Sequence, residues 1–378
     1  MNSSLCKNEK NKRCIFYLPY KMDEIGNGAR MVRPLKMINA FKNIGYEVFV
    51  IQGYSSERKK LIKRLKQNIS SGIKYDFMYT ESSTEPTLLT NPNHYPTHPF
   101  MDFSFFKYIK KQGIKIGLFY CDIYWKFKSY GSQLSTLKKY IAIKNYEYDI
   151  RNYEKLLDVF YVSDVGVSKY IDSEYLISIM TELPPGADNI NSNSKSYKSR
   201  DFKKNPLKVF YVGGLGAHYQ IKKLIQAVAE TKHCEATICC RKQEFEKEKK
   251  GFEELLNESI TIIHKSGTEL DDYYMSSDIG SLLFEDSIYM SMAKPVKAYE
   301  YIANELPIIS TRGTAIGEIV EKNNLGFNID YEVDAIKQIL NMIIDTPFIL
   351  DEYKTNCALF KEKNLWECRA RRVENDLT

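Results

Sequence analysis

No two of the eight cysteines stand at the C-x-x-C spacing of a zinc ribbon or a redox couple. Cys6, Cys14, Cys121, Cys234, Cys239, Cys240, Cys357 and Cys368 are scattered and read as reduced, mostly buried thiols. Histidine is scarce, and His94, His98, His218, His233 and His264 form no H-E-x-x-H cluster, so metal-independent chemistry is expected. No window approaches the ~18 to 20 consecutive apolar residues of a membrane span. The polar start MNSSLCKNEKNKR lacks the apolar core of a secretion signal. These absences predict a cytoplasmic protein, free or peripheral on the inner face of the membrane. Charge of one sign is lacking too: 54 basic residues oppose 48 acidic ones, and +6 over this length does not indicate a nucleic-acid partner.

What is present is length and alternation. A chain of 378 residues exceeds one comfortable core and predicts two domains. In the first half CIFYL (14–18), EVFVI (47–51), KIGLFY (115–120) and VFYV (159–162) read as strands separated by helical patterns, which implies parallel pairing. Near Gly186 a turn-rich stretch with Pro184, Pro185 and a Ser/Asn/Lys run breaks the pattern. Strand-like segments resume at LKVFYVGG (207–214), ATICC (236–240), ITIIH (260–264), IGSLLF (279–284) and LPIIS (306–310). The expected organisation is a first domain over 1–188, a linker over 189–206, a second domain over 207–360 and a final helix over 361–378.

The segment PVKAYEYIANELPIIST (295–311) carries the clearest chemistry. Helical spacing places Lys297 in the first turn and Glu300 one turn on, followed by a short apolar strand. A helix N-terminus offers unpaired N–H groups to phosphate, and a lysine beside it offsets charge on a leaving diphosphate. A carboxylate at position 300 suits the two hydroxyls of a ribose. The competing reading is a solvated Lys/Glu pair that merely supports the helix.

This segment resembles the donor-site helix of retaining GT-B glycosyltransferases of family 4, in the subfamily with a P-x-K-x-x-E-Y pattern, and the order of elements extends the resemblance over most of the chain. It implies an α/β GT-B architecture of two Rossmann-like domains facing across a cleft. A glutamate of this helix would hold the nucleotide ribose, so Glu300 takes that role and Lys297 the diphosphate. The usual pair of glutamates separated by seven residues is incomplete, because Met292 stands where the first would be. The preceding loop, with Tyr289, Met290 and Ser291, would give backbone N–H groups to the donor, and Glu285 and Asp286 are candidate sugar contacts. Thr314 would line the same site. The element VFYVGGLGAHYQIKKLIQAVAE is similar to the family's glycine-containing start of the second domain. Gly213, Gly214 and Leu215 replace its usual cations. Arg241, after ATICC, is the preferred substitute because its fork matches phosphate oxygens, with a plain surface arginine as the alternative.

In the first domain, Gly26 and Gly28 lie between strand and helix, where the resemblance puts the reaction centre; an ordinary turn is the alternative. Asp122 follows the KIGLFY strand and either orients an acceptor hydroxyl or caps the next helix. Tyr124, Trp125 and Phe127 either stack on a sugar or pack in the core. The basic segment 56–69 has an apolar stripe of Leu61, Ile62, Leu65 and Ile69, and is either a membrane-facing surface or a solvated helix on the sheet.

The resemblance implies transfer of a sugar from a nucleoside diphosphate-sugar to a lipid-linked or oligosaccharide acceptor, in bacterial surface polysaccharide synthesis, without a cofactor. A catalytically silent GT-B subunit that binds a partner glycosyltransferase, and a GT-B nucleotide-sugar epimerase, remain as alternatives.

Overall fold

A computed structural model of the protein describes residues 12–22, 29–190, 196–197, 200–216 and 219–378. Gly26 and Gly28 therefore lie outside the described residues. The chain divides into two compact units, Met1–Leu183 with Glu367–Thr378, and Pro184–Trp366.

The first unit alternates strand and helix: β1 (Arg13–Tyr17), α1 (Ala29–Asn43), β2 (Glu47–Ile51), α2 (Ser55–Ser70), β3 (Phe77–Glu81), α3 (Met101–Lys111), β4 (Lys115–Phe119), α4 (Thr136–Leu156), β5 (Val159–Val162), α5 (Glu174–Ser178) and β6 (Met180–Glu182). The sheet is wholly parallel in the order β2-β1-β3-β4-β5-β6. Crossover helices cover both faces of such a sheet, so its strands are near-continuous apolar runs rather than alternating ones. The expected strands of this half are all present. Two were missed: β6 is only three residues long, and β3 (FMYTE) ends in Thr80 and Glu81, polar residues that are nevertheless buried.

The second unit contains β7 (Leu207–Val212), α6 (Lys222–Glu230), β8 (Cys234–Cys239), α7 (Lys242–Glu248), β9 (Ile260–Ile263), α8 (Asp271–Ser276), β10 (Ile279–Leu282), α9 (Val296–Ala303), β11 (Ile308–Thr311), α10 (Ala315–Lys322), β12 (Gly326–Ile329), α11 (Val333–Asp345) and α12 (Ile349–Lys363). Its parallel order is β12-β11-β10-β7-β8-β9. The missed strand β12 begins at Gly326, whose φ of +149° and approach to Ile308 exclude a side chain: a Cβ there would sit 1.9 Å from the Ile308 carbonyl oxygen. The last helix, α13 (Trp366–Leu377), is assigned from Glu367 onward to the first unit. There Glu374 pairs with Lys12 at 2.7 Å, and Leu377 fills the space beside Gly117.

The structure bears on two further readings. The stretch read as a linker is part of the second unit: Tyr197 and Phe202 are buried in its core, Arg200 pairs with the buried Asp278, and the Tyr197 N–H donates to Asp351 at 2.9 Å. Its polar residues disguised two aromatic anchors. The basic stripe over 56–69 likewise does not face outward as a whole. Arg58 is 1% exposed, and its guanidinium donates to both Asp102 oxygens (3.1 and 3.0 Å) and to the Pro19 and Gly53 carbonyls (2.6 and 2.7 Å). Ile62 and Leu65 are buried as well, so half of the apolar stripe packs inward and leaves a face of lysines.

Candidate functional site

In an open parallel sheet, ligands bind beyond the carboxyl ends of the strands where the strand order reverses. In the second unit β7 leads outward to β8 and β9, and the chain then returns to place β10 on the other side of β7. The switch point is therefore the gap between β7 and β10. The segments that leave it are Gly213–Ile221 after β7 and Leu283–Pro295 after β10, and the second runs into α9.

Tyr301 of α9 holds this gap open. The strands pair only through Ile279 with Val209 and Gly280 with Phe210. Beyond that the Tyr301 hydroxyl enters, accepts the Val212 N–H at 3.0 Å and lies 3.2 Å from the Phe210 carbonyl to which it donates. Its ring lies against Gly280, where a Cβ would meet it at 2.7 Å. Burial pushes the Tyr301 hydroxyl far up, so it stays protonated and acts as a fixed donor and acceptor. The sequence signal for this role is a tyrosine inside an apolar helix face with a glycine on the facing strand.

One turn earlier on α9, Lys297 and Glu300 meet at 2.6 Å. The Tyr274 hydroxyl donates to the same Glu300 oxygen, Oε2, at 2.5 Å. Both contacts fall on Oε2, and Oε1 has no partner among the described residues. Lys297 and Glu300 keep 30% and 21% of their side-chain surface, so the pair remains accessible from solvent. Burial, then the Glu300 charge, drive the Tyr274 hydroxyl far up. Lys297 is also close enough to Cys239, the last residue of β8, to oppose the rise that burial gives that thiol. The amino end of α9 and the end of β8 therefore lie together. This is a cation, a carboxylate and a phenol at one sheet edge, a set suited to hydrogen bonds with a diol and to charge stabilisation beside a phosphate.

The other expected residues are placed as follows. Arg241 caps the start of α7 and is 67% exposed, with Glu244 at 2.5 Å; Glu244 in turn accepts the Leu215 N–H at 3.1 Å. The arginine is thus tethered beside the loop after β7. Lys223 is spent: it donates to the Tyr331 carbonyl at 2.8 Å and pairs with Glu332 (3.1 Å) and Glu285 (3.4 Å). Asp286 lies beside Gly313. Of the expected amide donors of the preceding loop, two are committed within it, Met290 N–H to Ser287 Oγ (3.2 Å) and Ser291 N–H to the Ser287 carbonyl (2.9 Å), as is the next amide, Met292 N–H to the Tyr289 carbonyl (3.2 Å). Tyr289 and the buried Met290 pack on the core of this unit. Met292, where the family's first glutamate would stand, is buried. Thr314 is the N-cap of α10, accepting the Gly317 N–H at 3.0 Å and donating to the Thr311 carbonyl at 2.6 Å, and its hydroxyl is thereby occupied.

Asp122, in the first unit, accepts the Tyr124 N–H at 2.7 Å in the turn that leads into the short 3₁₀ helix Tyr124–Lys126, whose N-cap position is held by Ile123. Trp125 stacks on Tyr146 with ring centres 4.9 Å apart and donates to the Tyr120 hydroxyl at 2.6 Å; it is core packing. At the ends of β3 and β4 the structure gathers residues that sequence reasoning missed. Tyr79 donates to Glu81 at 2.9 Å, Arg33 stands 3.4 Å from Glu81 with its guanidinium over Phe119, and burial raises the Glu81 carboxyl. Among the described residues no group of three His, Cys, Asp or Glu side chains is arranged to hold a metal ion.

Comparison with solved structures shows which fold this is. An Anabaena protein, Alr3699/HepE, solved in complex with UDP and glucose, superposes with a TM-score of 0.63 at 14% identity over 96% of this chain and 99% of its own. Sucrose-phosphate synthase from Thermosynechococcus elongatus gives 0.63 at 13%, over 96% and 98%. A UDP-forming trehalose-phosphate synthase from Burkholderia xenovorans, in complex with glucose-6-phosphate, gives 0.60 at 9%, over 97% and 100%. No curated protein matches the sequence. With its two units of six parallel strands the chain has the GT-B fold, and residues 193–358 match the family model described as Glycosyl transferases group 1.

Proposed function

We propose that the protein is a retaining glycosyltransferase that takes its sugar from a nucleoside diphosphate donor bound at the second unit's switch point. The observation that carries this reading is the Lys297–Glu300–Tyr274 constellation at the amino end of α9. Glu300 accepts from the ribose hydroxyls, with Tyr274 fixing its rotamer. Lys297 exchanges its contact with Glu300 for the leaving diphosphate, where a preorganised cation stabilises charge that develops only in the transition state. Arg241 supplies a second cation from the end of β8. The match to the glycosyl transferases group 1 model over 193–358 and the UDP complexes of similar folds support a nucleotide-sugar donor. The acceptor is a hydroxyl of a lipid-linked or oligosaccharide substrate of surface polysaccharide synthesis. No covalent step on the enzyme is required.

The deciding experiment is release of nucleoside diphosphate from UDP-, GDP- and dTDP-sugars, with and without a membrane lipid extract. Release from one donor that depends on the extract and disappears in Glu300→Ala is expected. A second reading, a silent subunit that binds a partner enzyme, is favoured by the committed amides of 290–292 and the neutralised Lys223. It predicts no release and no thermal shift with any donor.

A further inference from the structure

Helix α4 has two apolar faces, and the core of its own unit takes only one. At about 100° per residue, Ala142, Tyr146, Asp149, Tyr153 and Leu156 form one stripe. All five are buried, with Tyr146 against Trp125, Tyr153 against Phe103 and Asp149 accepting the Thr87 N–H. Leu137, Tyr140, Ile141 and Lys144 fall on roughly the opposite side of the helix. Leu137 is 68% exposed, Tyr140 59% and Ile141 44%, and Leu134, just before the helix, is also exposed. Leu134 and Lys139 both lie beside Gly131, and the Lys144 ammonium sits over the Tyr140 ring, so the apolar side chains are interleaved with cations.

Within the segment that carries this patch the sequence charge has one sign. From Ile123 to Tyr146 the sequence has five lysines (126, 128, 138, 139 and 144) and no carboxylate. Two carboxylates reach it from outside that span, Asp172 on Lys126 and Glu147 on Lys144 at 2.9 Å, which leaves Lys128, Lys138 and Lys139 to carry the positive charge of the patch. Exposed leucine and isoleucine at the tip of a helix, ringed by lysines and tyrosines, match what an anionic bilayer surface selects: apolar side chains enter the headgroup boundary, aromatic rings sit at its level and ammonium groups meet the phosphates. A nucleic acid would use the lysines but gain little from Leu137 and Ile141. The core of a protein interface is depleted in lysine. No helix among the described residues is long and apolar enough to cross a membrane, so any contact of this kind lies on the surface.

We propose that the outward face of the first two turns of α4, with Leu134, docks the first unit onto an anionic lipid bilayer. This places the membrane contact on α4 rather than on 56–69, whose apolar stripe is half spent in the core. The contact would hold the protein where lipid-linked acceptors reside, but it does not depend on the sugar-transfer reading.

The test is co-sedimentation of the purified chain with vesicles of phosphatidylcholine alone and of phosphatidylcholine mixed with phosphatidylglycerol. Wild type is expected to pellet with the mixed vesicles and to be released by salt. Leu137→Ser with Ile141→Ser should weaken partition by more than about tenfold, and removal of each exposed lysine, as in Lys128→Gln or Lys138→Gln, by about fivefold. All four side chains are exposed, so melting temperatures should match wild type. Wild type that stays in the supernatant with both vesicles, or equal pelleting with both, overturns the proposal. So does loss of binding in Lys59→Glu with Lys63→Glu while the α4 variants bind normally. Pelleting is read without any donor sugar, so its failure is distinct from a failure of catalysis.

Discussion

In the first unit Arg58 is 1% exposed and meets four oxygens of Asp102, Pro19 and Gly53; in the second, Lys297 is 30% exposed and meets one carboxylate. Both are cations near the carboxyl ends of a parallel sheet, yet one is enclosed and the other is left within reach of solvent. The enclosed cation ties together the segments that follow β1 and β2, and its own bonds are complete. The accessible one has exchangeable partners. A buried, fully bonded charge is scaffold, because moving it would strand its partner in a low-dielectric interior. A pair left partly open to solvent costs less to separate and can trade its contact for a ligand. The same contrast in exposure separates the buried Tyr79–Glu81–Arg33 group from the Tyr274–Glu300–Lys297 group.

Removing each cation breaks the comparison most sharply. Arg58→Met leaves Asp102 buried without its ion partner, and is expected to cost about 3 to 5 kcal/mol of stability. A denaturant melt with less than a tenth of that loss would mean the network is not scaffold. Lys297→Ala should do the reverse, lowering turnover by about 10² to 10³ while the melting temperature stays near wild type. Near wild-type turnover removes Lys297 from the mechanism.

A buried carboxyl with a shifted titration sharpens the scaffold side. Asp149 is pushed up from 3.8 to about 7, chiefly by burial, with the Thr87 amide working against the shift. Its folded-state pKa is raised, so the stability it contributes is full below about 4 and is lost as pH rises through about 7. Asp149→Asn should therefore flatten the stability profile between those values, by a few kcal/mol at most. Melts at pH 5 and pH 8 that fall in parallel for both proteins would count against it. The smallest effect is expected at the switch point. Tyr301→Phe removes the acceptor for the buried Val212 N–H, at a cost of about 1 to 3 kcal/mol. If Tyr301 also positions α9, donor affinity falls with it, read as a rise in KM at preserved kcat.

Much of this was legible in the chain. Strands buried on both faces are continuous apolar runs, so CIFYL, VFYV and LPIIS announced themselves, and their alternation with helices implied parallel sheets. Lys297 and Glu300 were legible because three residues on a helix always bring side chains together. What stayed hidden required partners far away in sequence. Nothing local shows that Arg58 turns inward while Lys59 does not, since the reason is Asp102, 44 positions on. Nothing in FMYTE shows that its glutamate is buried, because Arg33 and Tyr79 make that tolerable. The Ser/Asn/Lys run looked like a linker until Tyr197 and Phe202 found the second core. Nothing local shows that the Thr314 hydroxyl is taken up by the backbone as the cap of α10, or that Asp122 accepts the Tyr124 N–H. Local pattern sets the periodicity, and with it the strands, the helices and the neighbours one turn apart. Which polar groups are enclosed and which are left open follows from folding alone, because burial and satisfaction depend on contacts between segments that no local pattern encodes.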